Sequence, residues 1–107
     1  TNVLVARFRD SETRLLTSVA EQLRRNGANV EVFHKTAKIA EQIGYALSRG
    51  IPYILFPSSD PTKPHEIKHL ATQVQQPVNI SNWIVPYDER GYSSQIVTSQ
   101  TRSIQPL

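Results

Sequence analysis

The 107 residues contain no cysteine and no methionine, and a single tryptophan. Without cysteine there is no disulfide framework, no thiolate nucleophile and no thiolate metal site, and a cytoplasmic setting is favoured over an oxidising one. No apolar run approaches the ~18 residues that would suggest a membrane span, so no membrane partner is expected. Glycine is scarce as well, with four in the chain. None lies in residues 6–10, the loop after the first apolar run, which argues against a dinucleotide fingerprint or a P-loop, because both need glycine where backbone meets phosphate. That loop also lacks the acidic cluster of a phospho-accepting site.

What remains fits one domain of a size that can bury a core without staples. The opening residues lack a signal-peptide pattern, and the chain enters an apolar run almost at once from Thr1, which leads us to expect a domain taken from a longer protein. Net charge is +3. Residues 1–50 hold eight Lys/Arg against five acids, and residues 51–107 hold four of each, so the whole excess lies in the first half. A basic excess of this size is compatible with a phosphate-bearing partner, though from charge alone an ordinary solvated surface is the plainer reading.

Residues 35–57, KTAKIAEQIGYALSRGIPYILFP, organise the rest. Ile39, Ile43, Ala46 and Leu47 fall on one face of a helix, and Lys38, Glu41, Gln42, Tyr45 and Arg49 on the other. Gly50 suits the left-handed position that ends a helix, and Pro52 prevents continuation. Tyr53, Ile54, Leu55 and Phe56 have no polar alternation, as in a strand covered on both faces. Upstream, Val3, Leu4 and Val5 read as a buried strand. Asp10 or Ser11 is placed to cap a helix whose apolar face is Leu15, Leu16, Val19, Ala20 and Leu23, ended by Asn26 and Gly27. Residues 29–33 read as a second strand. The order strand–helix–strand–helix–strand with short connections implies parallel strands joined by right-handed crossovers. Downstream we expect a loop over 58–64, a strand over 65–70, a turn over 71–76, a short strand over 77–80, and a last packed segment built on Trp83 and Ile84. Residues 1–86 would form the domain and 87–107 a polar, mobile tail.

In such sheets ligands sit at the carboxyl ends of the strands. Those ends supply Arg7, Arg9, His34, Lys35, Thr36, Ser58 and Ser59, a basic and hydroxylic set without a nucleophile–base pair or a carboxylate pair for a metal. Asp10 reads as a helix cap. His65 and His69 share a face with Ile67 if the segment is a strand, and no third zinc ligand accompanies them. Tyr45 and Trp83 have the chemistry to stack on bases, with core packing the plainer role for Trp83.

The segments VLVARFRDSE, LRRNGANVEVF and KTAKIAEQIGYALSRGIPYILF, in that order, resemble the anticodon-binding domain of class IIa aminoacyl-tRNA synthetases, over roughly residues 2–80. The run HEIKHLATQVQQPVNI is most similar to that of histidyl-tRNA synthetases. The resemblance implies a three-layer α/β/α fold with a five-stranded mixed, mostly parallel sheet. It implies a C-terminal domain that holds the anticodon stem-loop of a tRNA and has no catalytic residue, metal or cofactor of its own. ATP and Mg²⁺ would belong to a separate catalytic domain of the parent ligase, its second partner. The class generally forms homodimers, mostly through that other domain, in the cytoplasm. Matched by position, the tRNA-binding residues would be Arg7 and Arg9 after the first strand, Lys35, Thr36 and Lys38 in the next turn, and Gln42 on the helix that follows. Ala37 stands where relatives carry a carboxylate and Gly44 where they carry arginine. Those departures also fit a diverged, non-catalytic module that binds nucleic acid less selectively or mediates dimer contacts. A small-molecule domain of the flavodoxin-like kind, with a phosphate at the basic strand ends, is a third reading.

Overall fold

The computed structural model describes residues 1–86, and the expected tail over 87–107 lies outside them. The elements are β1 (Val3–Val5), a 3₁₀ turn (Asp10–Glu12), α1 (Thr13–Arg25), β2 (Val30–Val32), α2 (Ile39–Ser48), β3 (Tyr53–Phe56), β4 (His65–His69) and β5 (Val74–Val78). They build one five-stranded sheet in the order β2-β1-β3-β4-β5. β1 lies between two parallel partners, with Val3 opposite both Val30 and Tyr53. β4 and β5 are added antiparallel, through the pairs Leu55 with Ile67 and Ile67 with Gln76. The sheet is mixed as expected, and its four pairings divide evenly between the two senses.

The three layers follow from the strand order. From β1 the chain moves one way to β2, and from β2 it moves the other way, past β1, to β3. Two right-handed crossovers that travel in opposite directions must pass over opposite faces. The alternation of β1 matches this. Val3 and Val5 pack with Leu16, Val19, Ala20 and Leu23 of α1. Leu4 and Ala6 pack with Ala46 of α2, Phe33, Ile51 and Ile54 on the other face. A strand buried on both faces has no place for polar alternation.

Both helices end in the same hydrogen-bonded motif. Gly27 takes φ +98° and Gly50 φ +68°. Behind them Ala28 N donates to Leu23 O at 3.1 Å and Ile51 N to Ala46 O at 2.9 Å. Glycine is required where the chain turns left-handed to satisfy those last carbonyls. The starts differ from expectation. Neither Asp10 nor Ser11 caps α1: a 3₁₀ turn comes first, and the N-cap positions Arg9 and Glu12 make no side-chain cap bond. Thr13 Oγ1 instead donates to Asp10 O at 2.8 Å.

Downstream, β5 begins at Val74, so the turn is shorter than the sequence suggested. Gln73, at φ 60°, closes it by donating its N–H to His69 O at 2.8 Å. Pro77 is tolerated within β5 because this is an edge strand, where a missing donor is affordable. The closing segment packs on the α1 face through Trp83, whose ring stands edge-on to Tyr53 at 5.2 Å. Its second anchor is Val85, which is buried, whereas Ile84 is 56 % exposed. Asn26 pins it, donating from Nδ2 to Ile80 O at 2.7 Å and Trp83 O at 3.0 Å.

Candidate nucleic-acid interface

Arg7 leaves the end of β1 and is fixed on three sides. Its Nε donates to Phe33 O at 2.9 Å and its Nη1 to Thr13 Oγ1 at 3.3 Å. Its main chain is held by Gln42: Arg7 N donates to Gln42 Oε1 at 2.8 Å, and Gln42 Nε2 donates to Arg7 O at 2.7 Å and Ala37 O at 2.9 Å. Arg7 is therefore tied to both ends of the β2–α2 connection, residues 33–38. That connection carries Lys35, Thr36 and Lys38, all exposed. Arg7 Nη2 has no protein hydrogen bond among the described residues, so a guanidinium with a fixed plane stands beside the basic turn.

Gln42 is the correction. The sequence places it on the polar face of α2, where it would meet a base edge. It is 0 % exposed and both ends of its amide are spent on main chain. α2 is rotated relative to the expected apolar stripe: Gln42 and Ala46 face inward, while Ile39 and Leu47 are exposed. The β1 end and the 33–38 connection leave backbone donors and acceptors at this point of the interior, and a buried polar group is tolerated only where it satisfies others. Gln42 supports Arg7 and does not reach the surface.

Lys35 Nζ lies 2.9 Å from Glu41 Oε2 in a half-exposed pair, which weakens its pull on a phosphate without removing it. Lys38 is the N-cap residue of α2, with extended backbone and no side-chain cap bond. Tyr45 is engaged within the protein. Its hydroxyl donates to Glu31, and its ring is edge-on to Phe33 at 5.2 Å, with the Arg49 guanidinium 4.8 Å from its centroid. The Glu31 hydrogen bond raises the Tyr45 pKa, with burial and the Glu31 charge adding to it and Arg49 opposing.

Arg9 lies apart from this cluster, on the β3 side of β1. Between the carboxyl ends of β1 and β3 is a cavity of about 630 Å³, lined by Phe8, Arg9, Phe56, Ser58, Asp60 and Lys63 among others. Phe8, Phe56 and Lys63 were missed in the sequence. The pattern that would have found them is an aromatic residue at the end of each of two adjacent parallel strands. The wall over 57–64 is bonded to itself. Asp60 Oδ1 accepts from Thr62 N at 2.9 Å and Thr62 Oγ1 at 2.7 Å, which lowers the Asp60 pKa.

His65 holds the same wall: its Nδ1 accepts from Ser58 N at 2.9 Å. Burial lowers its pKa. His69 stacks on Tyr53 at 4.8 Å, so both histidines on this strand have structural contacts. A folded-state pKa below the unfolded ~6.5 means that the unfolded chain takes up protons first, so stability falls as pH drops below about 6.5. We expect urea midpoints to decline from pH 7 to 5, and the decline to flatten in His65→Leu. An equal slope in both proteins would exclude this residue as its source.

A family model for the anticodon binding domain matches residues 3–85. The chain belongs to that family. This anticodon-binding domain is 43 % identical over 83 residues to the histidine–tRNA ligase of Thermobifida fusca (strain YX), an alignment covering 78 % of this chain and 19 % of that protein. It is 34 % identical over 83 residues to the histidine–tRNA ligase of Bifidobacterium animalis subsp. lactis (strain AD011), covering 76 % and 18 %. The chain thus spans about a fifth of the length of the curated relatives it matches. Histidyl-tRNA synthetase from Nostoc sp. PCC 7120 superposes with a TM-score of 0.67 at 22 % identity, covering 73 % of this chain and 19 % of that one. The RNA binding domain of threonyl-tRNA synthetase from Cryptosporidium parvum Iowa II superposes at 0.64 and 18 %, covering 79 % and 24 %. At these identities the structural likeness is one of fold, and it agrees with the five-stranded mixed sheet between helices. The anticodon-binding domain is of the histidyl-tRNA synthetase kind. No helix among the described residues is long and apolar enough to cross a membrane.

Proposed function

We propose that this domain binds the anticodon stem-loop of a histidine tRNA on the surface formed by Arg7, Lys35, Thr36 and Lys38, with Arg9 as a further cation set apart on the β3 side of β1. It would do so on behalf of a catalytic domain in the same longer protein, which would carry the ATP and Mg²⁺ chemistry in the cytoplasm. The observation that carries the reading is the clamp on Arg7. A guanidinium with a fixed plane suits hydrogen bonding to a base edge, whereas the mobile lysines beside it suit phosphates. Sequence-specific RNA recognition depends on unpaired loop bases held in this way. The likeness to histidine–tRNA ligases supports histidine as the amino acid.

The test is a titration of the chain with a histidine anticodon stem-loop and with the same loop scrambled, at two salt concentrations. Preference for the native loop that survives the higher salt is expected. Lys35→Ala should weaken binding to both loops alike and lower the salt slope by about 0.7–0.9, the loss of one phosphate contact. Equal, salt-sensitive binding of native and scrambled loops would replace anticodon reading with a general basic surface. That is the behaviour expected of the diverged module suggested by Ala37 and Gly44.

A further inference from the structure

The sequence holds five asparagines, and only Asn26 is followed by glycine. Asn2, Asn29, Asn79 and Asn82 precede Val, Val, Ile and Trp, whose side chains crowd the next backbone nitrogen. Gly27 has no Cβ, and one built there would meet nothing within 4 Å, so its nitrogen is sterically free to approach the amide carbon of Asn26. An asparagine in that setting is chemically labile. The fold withdraws every group the reaction would use. Asn26 Nδ2, the leaving group, donates to Ile80 O at 2.7 Å and Trp83 O at 3.0 Å, and Oδ1 accepts from Gln22 Nε2 at 3.2 Å. The Gly27 N–H, the nucleophile, donates to Arg24 O at 3.0 Å. At ψ 1° the Gly27 nitrogen eclipses the Asn26 nitrogen instead of the Cβ that carries the amide, so ring closure needs the chain to rotate out of the helix end.

We propose that Asn26–Gly27 is a latent deamidation site, held shut by the bonds that pin residues 79–86 and releasing that segment once it has reacted. In the reaction the Gly27 nitrogen gives up its proton and bonds to Asn26 Cγ, the Cγ–Nδ2 bond breaks, and ammonia leaves carrying that proton. The succinimide so formed takes up one water. Opening at Cγ leaves aspartate. Opening at the backbone carbonyl leaves isoaspartate, with the main chain running through the side-chain carboxyl. Water is the only co-reactant. Either product ends the latch. A carboxylate has no proton to give Ile80 O and Trp83 O, so both carbonyls lose this donor at a part-buried site. Isoaspartate also lengthens the main chain inside the turn where Ala28 N meets Leu23 O. Packing of Trp83 on Tyr53 and of Val85 in the core remains. Because the same two bonds hold the amide and the segment, a detached segment exposes the site, and a reacted site cannot recapture the segment.

The test keeps the full chain in native buffer and, in parallel, in guanidinium chloride at the same pH and temperature, and maps aspartyl and isoaspartyl peptides over time. In denaturant Asn26 should convert while Asn2, Asn29, Asn79 and Asn82 persist. In the native protein its conversion should be slower by roughly 10-fold or more, since it must pass through a local opening. Equal rates in the two conditions would show that the bonds protect nothing, and an intact Asn26 in denaturant would remove the labile site; either result overturns the proposal. Trp83, the single tryptophan, reports on the segment. Asn26→Asp should shift its emission to the red and lower the urea midpoint. Asn26→Gln keeps the amide but cyclises far less readily through a larger ring, so it should persist in denaturant and stay nearer the parent in emission. Parental emission and midpoint in Asn26→Asp would mean that the segment stays docked and would overturn the release. The conversion rates are read on the parent chain, so an Asn26→Asp that fails to fold does not remove the test.

Discussion

Gln42→Leu should cost the domain about 3 kcal/mol or more, a large share of the stability of a domain this size. The substitution keeps the volume near that of the amide but leaves Arg7 N, Arg7 O and Ala37 O without the partners they now have. Each buried orphan costs roughly 1–3 kcal/mol. On melting, the loss should appear as a fall in Tm of roughly 10–20 °C. A urea midpoint within error of the parent would show that water or neighbouring groups take over these bonds. Gln42→Glu separates donation from size. A protonated carboxyl can still donate to one carbonyl, whereas a carboxylate faces two carbonyl oxygens with nothing to give. The folded state therefore raises the carboxyl pKa above its unfolded ~4.3. The variant should be nearest the parent in stability below that pH and lose stability as pH rises through the raised value.

Arg7→Ala should reduce affinity for the anticodon stem-loop roughly 10- to 100-fold while leaving the fold intact. The two effects separate because Gln42 holds the main chain of Arg7, not its side chain. Arg7→Lys retains the charge but has no planar fork to span Phe33 O, Thr13 and a base edge. It should keep the salt slope of the parent and lose most of the affinity. If Arg7→Lys bound like the parent, Arg7 would be acting as a point charge and base reading at this position would be wrong.

The sheet was legible because β1 and β3 are continuous apolar runs and both helices end at a glycine that the chain geometry requires. Gln42 was not. It lies four residues before Ala46 on the inward face of α2, and a polar residue there was assigned outward by its type. Only the carbonyls of Arg7 and Ala37, brought together by the fold, show why an amide belongs inside. The start of β5 was misjudged for a related reason. Pro77 looked like the beginning of a strand, yet an edge strand accommodates proline within it, so residues 74–76 were read as turn. At the candidate site, Arg7 and the 33–38 turn were visible as strand ends. The pocket was not, since it depends on Phe8 and Phe56 becoming neighbours through the pairing of β1 with β3.

That pairing also sets the order in which the molecule can assemble. The central strand lies at the beginning of the chain, and Val3 finds Tyr53 about fifty residues later, whereas the β3–β4 and β4–β5 pairs close loops of about ten residues or fewer. During synthesis β1 emerges before the other strands of this sheet, yet it has only β2 beside it until the chain has passed Phe56. Its second hydrogen-bonding edge stays open for that interval. The three C-terminal strands can form their meander from local contacts, but they join the α1–β1–β2 unit only when β3 docks against β1. The long-range step and the formation of the cavity between β1 and β3 are then the same event.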